Sequence, residues 1–139
     1  MTTPLIRPCL SDELPELLRL WHESAATPSL SDNLDDLRRA AAHPTTRLLV
    51  AESDDRIVGS IFAGFDGWRG NIYRLAVHPD FRRQGIARRL VAEAERYLIA
   101  QGARRVTALV EKDHADATGF WSAAGYQLDT RIARYVHSL

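Results

Sequence analysis

Residues 71–100 constrain the fold more than any other stretch of the chain. Within them Ile72-Tyr73-Arg74-Leu75-Ala76-Val77 is rich in β-branched and aromatic residues and is stopped by His78-Pro79, which predicts a strand. Ala87, Leu90, Val91, Ala94 and Leu98 then recur at i, i+3, i+4, i+7 and i+11, the apolar stripe of one helix, with Gly102 where its C-cap belongs. Between them sits Arg82-Arg83-Gln84-Gly85-Ile86-Ala87. The order is strand, short loop, glycine, helix.

Such an order presents an anion site. The first turn of a helix has backbone N–H groups without internal partners, and the positive end of the helix dipole points the same way. Gly85 has no Cβ, so a phosphate or pyrophosphate can approach the backbone there. Arg82, Arg83, Arg88 and Arg89 surround the loop with positive charge. A solvated arginine cluster at an ordinary helix start is the competing reading of the same residues. Two familiar phosphate loops are excluded. There is no Gly-x-x-x-x-Gly-Lys-Ser/Thr, the one lysine being Lys112, and no Gly-x-Gly-x-x-Gly follows a strand.

The segment Leu75-Ala76-Val77-His78-Pro79-Asp80-Phe81-Arg82-Arg83-Gln84-Gly85-Ile86-Ala87 resembles the strand–loop–helix of the GNAT N-acetyltransferase superfamily. Arg82, Gly85 and Ala87 meet its Gln/Arg-x-x-Gly-x-Gly/Ala signature. A second segment follows in the family's order: an apolar run over 106–110, a polar loop, then Phe120-Trp121-x-x-x-Gly125-Tyr126. The resemblance covers most of the chain, and is strongest to small bacterial members with a glycine-bounded hairpin, here residues 64–70.

The rest of the chain reads as one domain over residues 1–139. A first strand is expected at 5–10, at a sheet edge because of Pro4 and Pro8. Ser11 caps a helix whose face is Leu14, Leu17, Leu18 and Trp21, and Ser31 caps a second, shorter one. Residues 47–53 and 56–65 form a hairpin about Asp54-Asp55. Residues 106–110 form a buried strand, 115–124 a short helix, and 126–129 and 131–137 two final strands. The class is α+β, and the resemblance implies a mixed, twisted central sheet flanked by helices, with its fourth and fifth strands splayed apart.

Composition narrows the function classes. A formal net charge of zero gives no field for nucleic acid or anionic membrane. No apolar run approaches a membrane span, and the lone Cys9 supports neither a disulfide framework nor a thiolate metal site. The five histidines show no metal-ligand spacing. A cytoplasmic protein without metal is the expectation.

What the resemblance implies about the site is specific. Acetyl-CoA is the acetyl donor, its pantetheine arm paired with the backbone of Leu75, Ala76 and Val77. Its pyrophosphate rests on the N–H groups of Arg83, Gln84, Gly85, Ile86 and Ala87, with Arg82 and Arg88 beside them. His114 stands where an Asn is frequent in the family, and joins the cofactor set. The acceptor is an amine, on a small molecule or a protein, and direct transfer in a ternary complex is expected. A catalytically silent acyl-CoA-binding domain, a sensor or partner subunit, is the alternative. A homodimer through the final strands is a further expectation.

The catalytic groups depart from the family pattern. The usual Tyr is Trp121, whose indole is no useful acid. The places of a family Glu are held by Asn71 and Leu109, so the chain does not match the ribosomal-protein N-terminal acetyltransferases. Tyr73 and Glu111 remain as candidate acid–base groups. Asp66, Arg69 and Asn71 are candidate acceptor contacts, although Asp66 also has the chemistry of a turn residue. Trp121 reads as helix packing.

Overall fold

A computed structural model describes residues 3–24, 32–111 and 115–139. The chain divides into two compact units, Met1–Ala108 and Leu109–Leu139.

The first unit is a five-stranded mixed sheet in the order β1-β2-β3-β4-β5. The strands are β1 (Leu5–Pro8), β2 (Thr46–Ser53), β3 (Arg56–Phe65), β4 (Gly70–Val77) and β5 (Val106–Ala108). The first four run antiparallel to their neighbours, and β5 joins β4 in parallel after the crossover helix α3 (Ile86–Gln101). Asp54 and Asp55, at φ 51° and 63°, make the two-residue turn between β2 and β3, whose backbone twist matches the strands. The edge position expected for the first strand holds, since among the described residues β1 pairs with β2 alone.

Helices α1 (Leu14–Glu23) and α2 (Leu34–Ala42) cover one face. Leu14, Leu17, Leu20 and Trp21 pack there against Leu37, Leu48, Val50 and Phe62. Helix α3 covers the other face. A Cβ built on Gly59 would lie 3.2 Å from both Ile86 and Leu90, so the helix approaches β3 as closely as that glycine permits. Of the apolar stripe read from the sequence, Leu90, Val91, Ala94 and Leu98 are in the core and Ala87, in the first turn, is half-buried. Gly102 ends α3 at φ 108°, with Ala103 N–H donating to Leu98 O, the C-cap its position predicts.

Several boundaries differ from expectation. Ser11 does not cap α1. Residues Ser11–Glu13 form a short 3₁₀ turn instead, with the Glu13 carboxylate accepting from Leu10 N at 2.8 Å, and α1 begins at Leu14 with Pro15 in its first turn. Ser31 lies outside the described residues, and Asn33 caps α2 by accepting from Asp36 N at 2.9 Å. The strand expected over 106–110 is three residues long, because its pairing with β4 stops at Ile72↔Ala108.

In the second unit α4 (Ala115–Ala123) is closed by Gly125 at φ 94°. Trp121 packs edge-on against Phe120 and Tyr126, with ring centroids 5.4 and 4.8 Å apart. The two final strands expected at 126–129 and 131–137 do not form. Their β-prone composition meets no hydrogen-bonding ladder among the described residues, and without a ladder an extended segment is not sheet. Leu128, Tyr135 and Val136 stay exposed.

Candidate functional site

The site is built around β4 and the start of α3. Gly85 is the N-cap of α3 at φ 80°, in the left-handed region that a glycine adopts without strain. Nothing lies within 4 Å of a Cβ built there, so the space above the glycine is open. The first helical bond runs from Arg89 N–H to Gly85 O at 3.1 Å, leaving the N–H groups of Ile86, Ala87 and Arg88 without helical partners. The Ile86 side chain is buried beneath α3, so only its backbone faces the loop side. Arg82, Arg83, Gln84 and Arg88 are exposed around it, and Arg83 also has a positive φ, 64°.

Upstream, among the described residues of the first unit, β4 has an open edge beyond Ile72 on its β5 side. Gly70 N–H donates to Arg105 O, so Gly70 and, by alternation, Ile72 face β5. Pairing with β5 ends at Ile72. His78 N–H donates to Val58 O at 2.8 Å, which turns the Val77 N–H and C=O to the opposite, β5-side edge. Between Tyr73 and Ala76 the β3–β4 register slips by one residue: Phe62 pairs with Tyr73, but Ser60 with Ala76. The extra residue is a bulge at Arg74, whose φ of 54° costs a non-glycine residue on the order of 1–3 kcal/mol.

Such a conformation persists only where its surroundings impose it, and three contacts do so here. Ser60 Oγ donates to the Arg74 carbonyl at 2.9 Å and accepts from Trp21 Nε1 at 2.8 Å. The Arg74 guanidinium lies 5.1 Å from the Trp21 ring and pairs with the Asp32 carboxylate. Ser60 is completely buried, and its hydroxyl is satisfied in both senses. None of Trp21, Ser60 and Arg74 was singled out from the sequence as a site residue. The available signal was the lone hydroxyl in the apolar run Ile57-Val58-Gly59-Ser60-Ile61-Phe62-Ala63.

The face occupied by each candidate follows from register. Tyr73 lies opposite Phe62 and Asn71 opposite Gly64, so both share the Phe62 face that α1 covers. Tyr73 is 41% exposed there. On the same face His78 Nε2 lies 3.1 Å from Glu23 Oε2 at the end of α1, while His78 Nδ1 accepts from Asp80 N at 3.2 Å. Tyr73 is thus on the α1 face of β4, whereas Val77 turns its backbone to the β5-side edge, and the loop 82–87 follows after the 3₁₀ turn Pro79–Phe81.

Asp66 and Arg69 lie elsewhere. They belong to the β3–β4 turn, at the far end of a strand about 23 Å long. Asp66 Oδ1 accepts from Trp68 N at 2.8 Å and Arg69 N at 2.7 Å, and those bonds, Arg69 first, hold its carboxyl below the usual range. Arg69 stacks on the exposed Trp68 ring at 3.9 Å. Glu111 is exposed and belongs to the second unit, and His114 lies outside the described residues. Among the described residues no three His, Cys, Asp or Glu side chains converge as a metal site, and no helix is long and apolar enough to cross a membrane.

Comparison with known proteins identifies the family. The model of the acetyltransferase (GNAT) family matches residues 12–126. An acetyltransferase of Yersinia pestis (strain Pestoides F) is 34% identical over 127 residues, 91% of this chain and 90% of that protein. One from Pectobacterium atrosepticum is 35% identical over 122 residues, 88% of this chain and 86% of that protein. Among solved structures, the aminoglycoside N-acetyltransferase AAC(6′)-Iy in complex with CoA superposes with a TM-score of 0.81 at 18% identity, covering 100% of this chain and 98% of the other. The PaiA N-acetyltransferase of Thermoplasma acidophilum, in complex with coenzyme A, gives 0.80 at 18% identity over 92% of each chain. The chain belongs to the GNAT acetyltransferase family and is an acetyl-CoA-dependent N-acetyltransferase.

Proposed function

We propose that the chain acetylates a primary amine, on a small molecule or on a protein or peptide, by direct transfer within a ternary complex. One observation carries this reading: the β5-side edge of β4 that is left unpaired beyond Ile72 is followed, after the 3₁₀ turn Pro79–Phe81 and the loop 82–84, by the Gly85 helix start. In this assignment the pantetheine arm pairs with the backbone of residues 75–77. The pyrophosphate takes the N–H groups of residues 83–87, with Arg82 and Arg88 adding charge. His114 belongs to the same cofactor set.

The Val77 N–H faces the edge and polarises the thioester carbonyl. The acceptor comes from the α1 face, past Asn71 and Tyr73. Its neutral nitrogen attacks the carbonyl carbon, the C–S bond breaks, the nitrogen gives up a proton to become the amide, and the CoA thiolate takes one. Tyr73 is the candidate donor of that proton, and Glu111 the candidate base for the acceptor ammonium. Asp66 and Arg69 are assigned to the outer part of the acceptor.

Direct transfer is favoured because, among the described residues, no activated nucleophile stands at the edge. The one cysteine, Cys9, follows β1, and its thiol is pushed up to about 11, by burial first and Glu13 second. Residues 1–139 work as one GNAT domain in the cytoplasm, as a homodimer that light scattering would detect.

Release of CoA thiol from acetyl-CoA, followed across polyamines, aminoglycosides and peptides with free N-termini or lysines, tests the reading. Turnover that rises hyperbolically with one class of amine supports it. Acetyl-CoA binding with no turnover on any class contradicts it, and favours the silent acyl-CoA-binding domain.

A further inference from the structure

The bulge decides which backbone groups the open edge of β4 presents. Gly70 and Ile72 face β5, so a regular strand would next turn the N–H and C=O of Arg74 and Ala76 to that side. One extra residue reverses this. Ala76 pairs inward with Ser60, His78 N–H bonds inward to Val58, and Val77, with Leu75 by the same alternation, faces outward. The Arg74 carbonyl, which would otherwise lie on the open edge, is turned onto the Ser60 hydroxyl at 2.9 Å. An acceptor oxygen is thereby withdrawn from the place where a thioester carbonyl has to be met by donors.

We propose that Ser60 is a positioning residue for acetyl transfer. Fixed by the indole N–H of Trp21, its hydroxyl holds the Arg74 carbonyl, and with it the bulge that aims the Leu75 and Val77 N–H groups along the open edge. The inference rests on the reading that this edge receives the acetyl-pantetheine arm. It also links the two sides of the reaction. Trp21 belongs to α1 and Asp32 precedes α2, so the acceptor-side layer grips the same residue, Arg74, that shapes the donor-side edge.

The test separates the two halves of the cofactor. Adenosine 3′,5′-bisphosphate, the nucleotide half of CoA, probes the Gly85 loop alone, whereas acetyl-CoA probes the loop and the edge together. In Ser60→Ala the Kd for acetyl-CoA rises about tenfold, the scale of the lost hydrogen bond to the Arg74 carbonyl, while that for adenosine 3′,5′-bisphosphate stays within about twofold. Amide exchange at Val77 speeds up in the bound state. Trp21→Phe keeps a ring and removes the donor, and gives the same split if Ser60→Ala does not fold. A folded variant that binds acetyl-CoA unchanged, or that loses both ligands equally, overturns the positioning role. Failure of the unmodified protein to bind acetyl-CoA overturns the edge reading and the inference with it.

Discussion

Arg82 Nε donates to the Val77 carbonyl at 3.2 Å, so the first arginine of the loop closes back onto the last residue of β4. The contact occupies the one carbonyl that Val77 turns to the open edge, and leaves its N–H as the donor there.

Arg82→Ala therefore removes a loop tether as well as a charge. The bond is exposed, so its loss costs about 0.5–1.5 kcal/mol in cofactor binding, roughly a two- to tenfold rise in Kd for acetyl-CoA. Titration at low and at high salt checks this. A tether predicts a loss that survives high salt in part, whereas a purely long-range charge effect vanishes there.

Gly70 reports on the core instead of the site. A Cβ placed on it would lie 2.8 Å from Leu98 Cδ1, and Leu98 is fully buried. Gly70→Ala overpacks the contact between β4 and α3 and costs about 1–3 kcal/mol of stability. Denaturant unfolding measures that loss, and adenosine 3′,5′-bisphosphate affinity stays within about twofold because the Gly85 loop is at the strand's other end.

How much of this was legible in the sequence depended on whether the cause was local. Gly85 and Gly102 announce themselves, because the left-handed cap each occupies is written in the residue type. The α3 stripe was legible for the same reason, being a helix-long repeat. Arg74 was not. Its left-handed φ is imposed by Ser60, Trp21 and Asp32, which lie 14, 53 and 42 residues away along the chain. The extended segments 126–129 and 131–137 misled in the opposite way, since β propensity describes a fit to a neighbouring strand and none pairs with them among the described residues. Asp66 showed both its readings from the start, and the observed bonds are those of the turn residue.

Acid should weaken the first unit through Glu13. Arg7 donates to both of its oxygens, at 2.8 and 2.6 Å, and holds its carboxyl below the ordinary 4.5. A carboxylate with a depressed folded-state value adds stability above its unfolded value, and that stability is lost as pH falls through the folded one. Stability is thus expected to decline below about pH 4.5, by on the order of 1 kcal/mol from this pair. Glu13→Gln should flatten that part of the profile in thermal unfolding from pH 6 to pH 3.

Cys9 should be chemically quiet. With its thiol pushed up to about 11, only a small fraction is thiolate at pH 8, so alkylation by iodoacetamide is expected to run well over tenfold slower than for an exposed thiol. Cys9→Ala should transfer acetyl at an unchanged rate. An acetylated Cys9 trapped by mass spectrometry in a rapid quench would instead argue for a covalent intermediate.

The most direct test of the acetyl-CoA site is the calorimetric titration of acetyl-CoA into Gly85→Val beside the unmodified protein. A Cβ at Gly85 meets no protein atom within 4 Å, so any steric conflict is with the ligand, while the φ of 80° strains the branched residue in the loop. Losing one or two charge-assisted phosphate bonds costs about 1.5–3 kcal/mol each, so affinity is expected to fall at least tenfold. Ligand-free thermal stability should shift by less than the stabilisation acetyl-CoA gives the unmodified protein. A folded Gly85→Val protein that binds acetyl-CoA with unchanged affinity would contradict the placement of the pyrophosphate on this helix start.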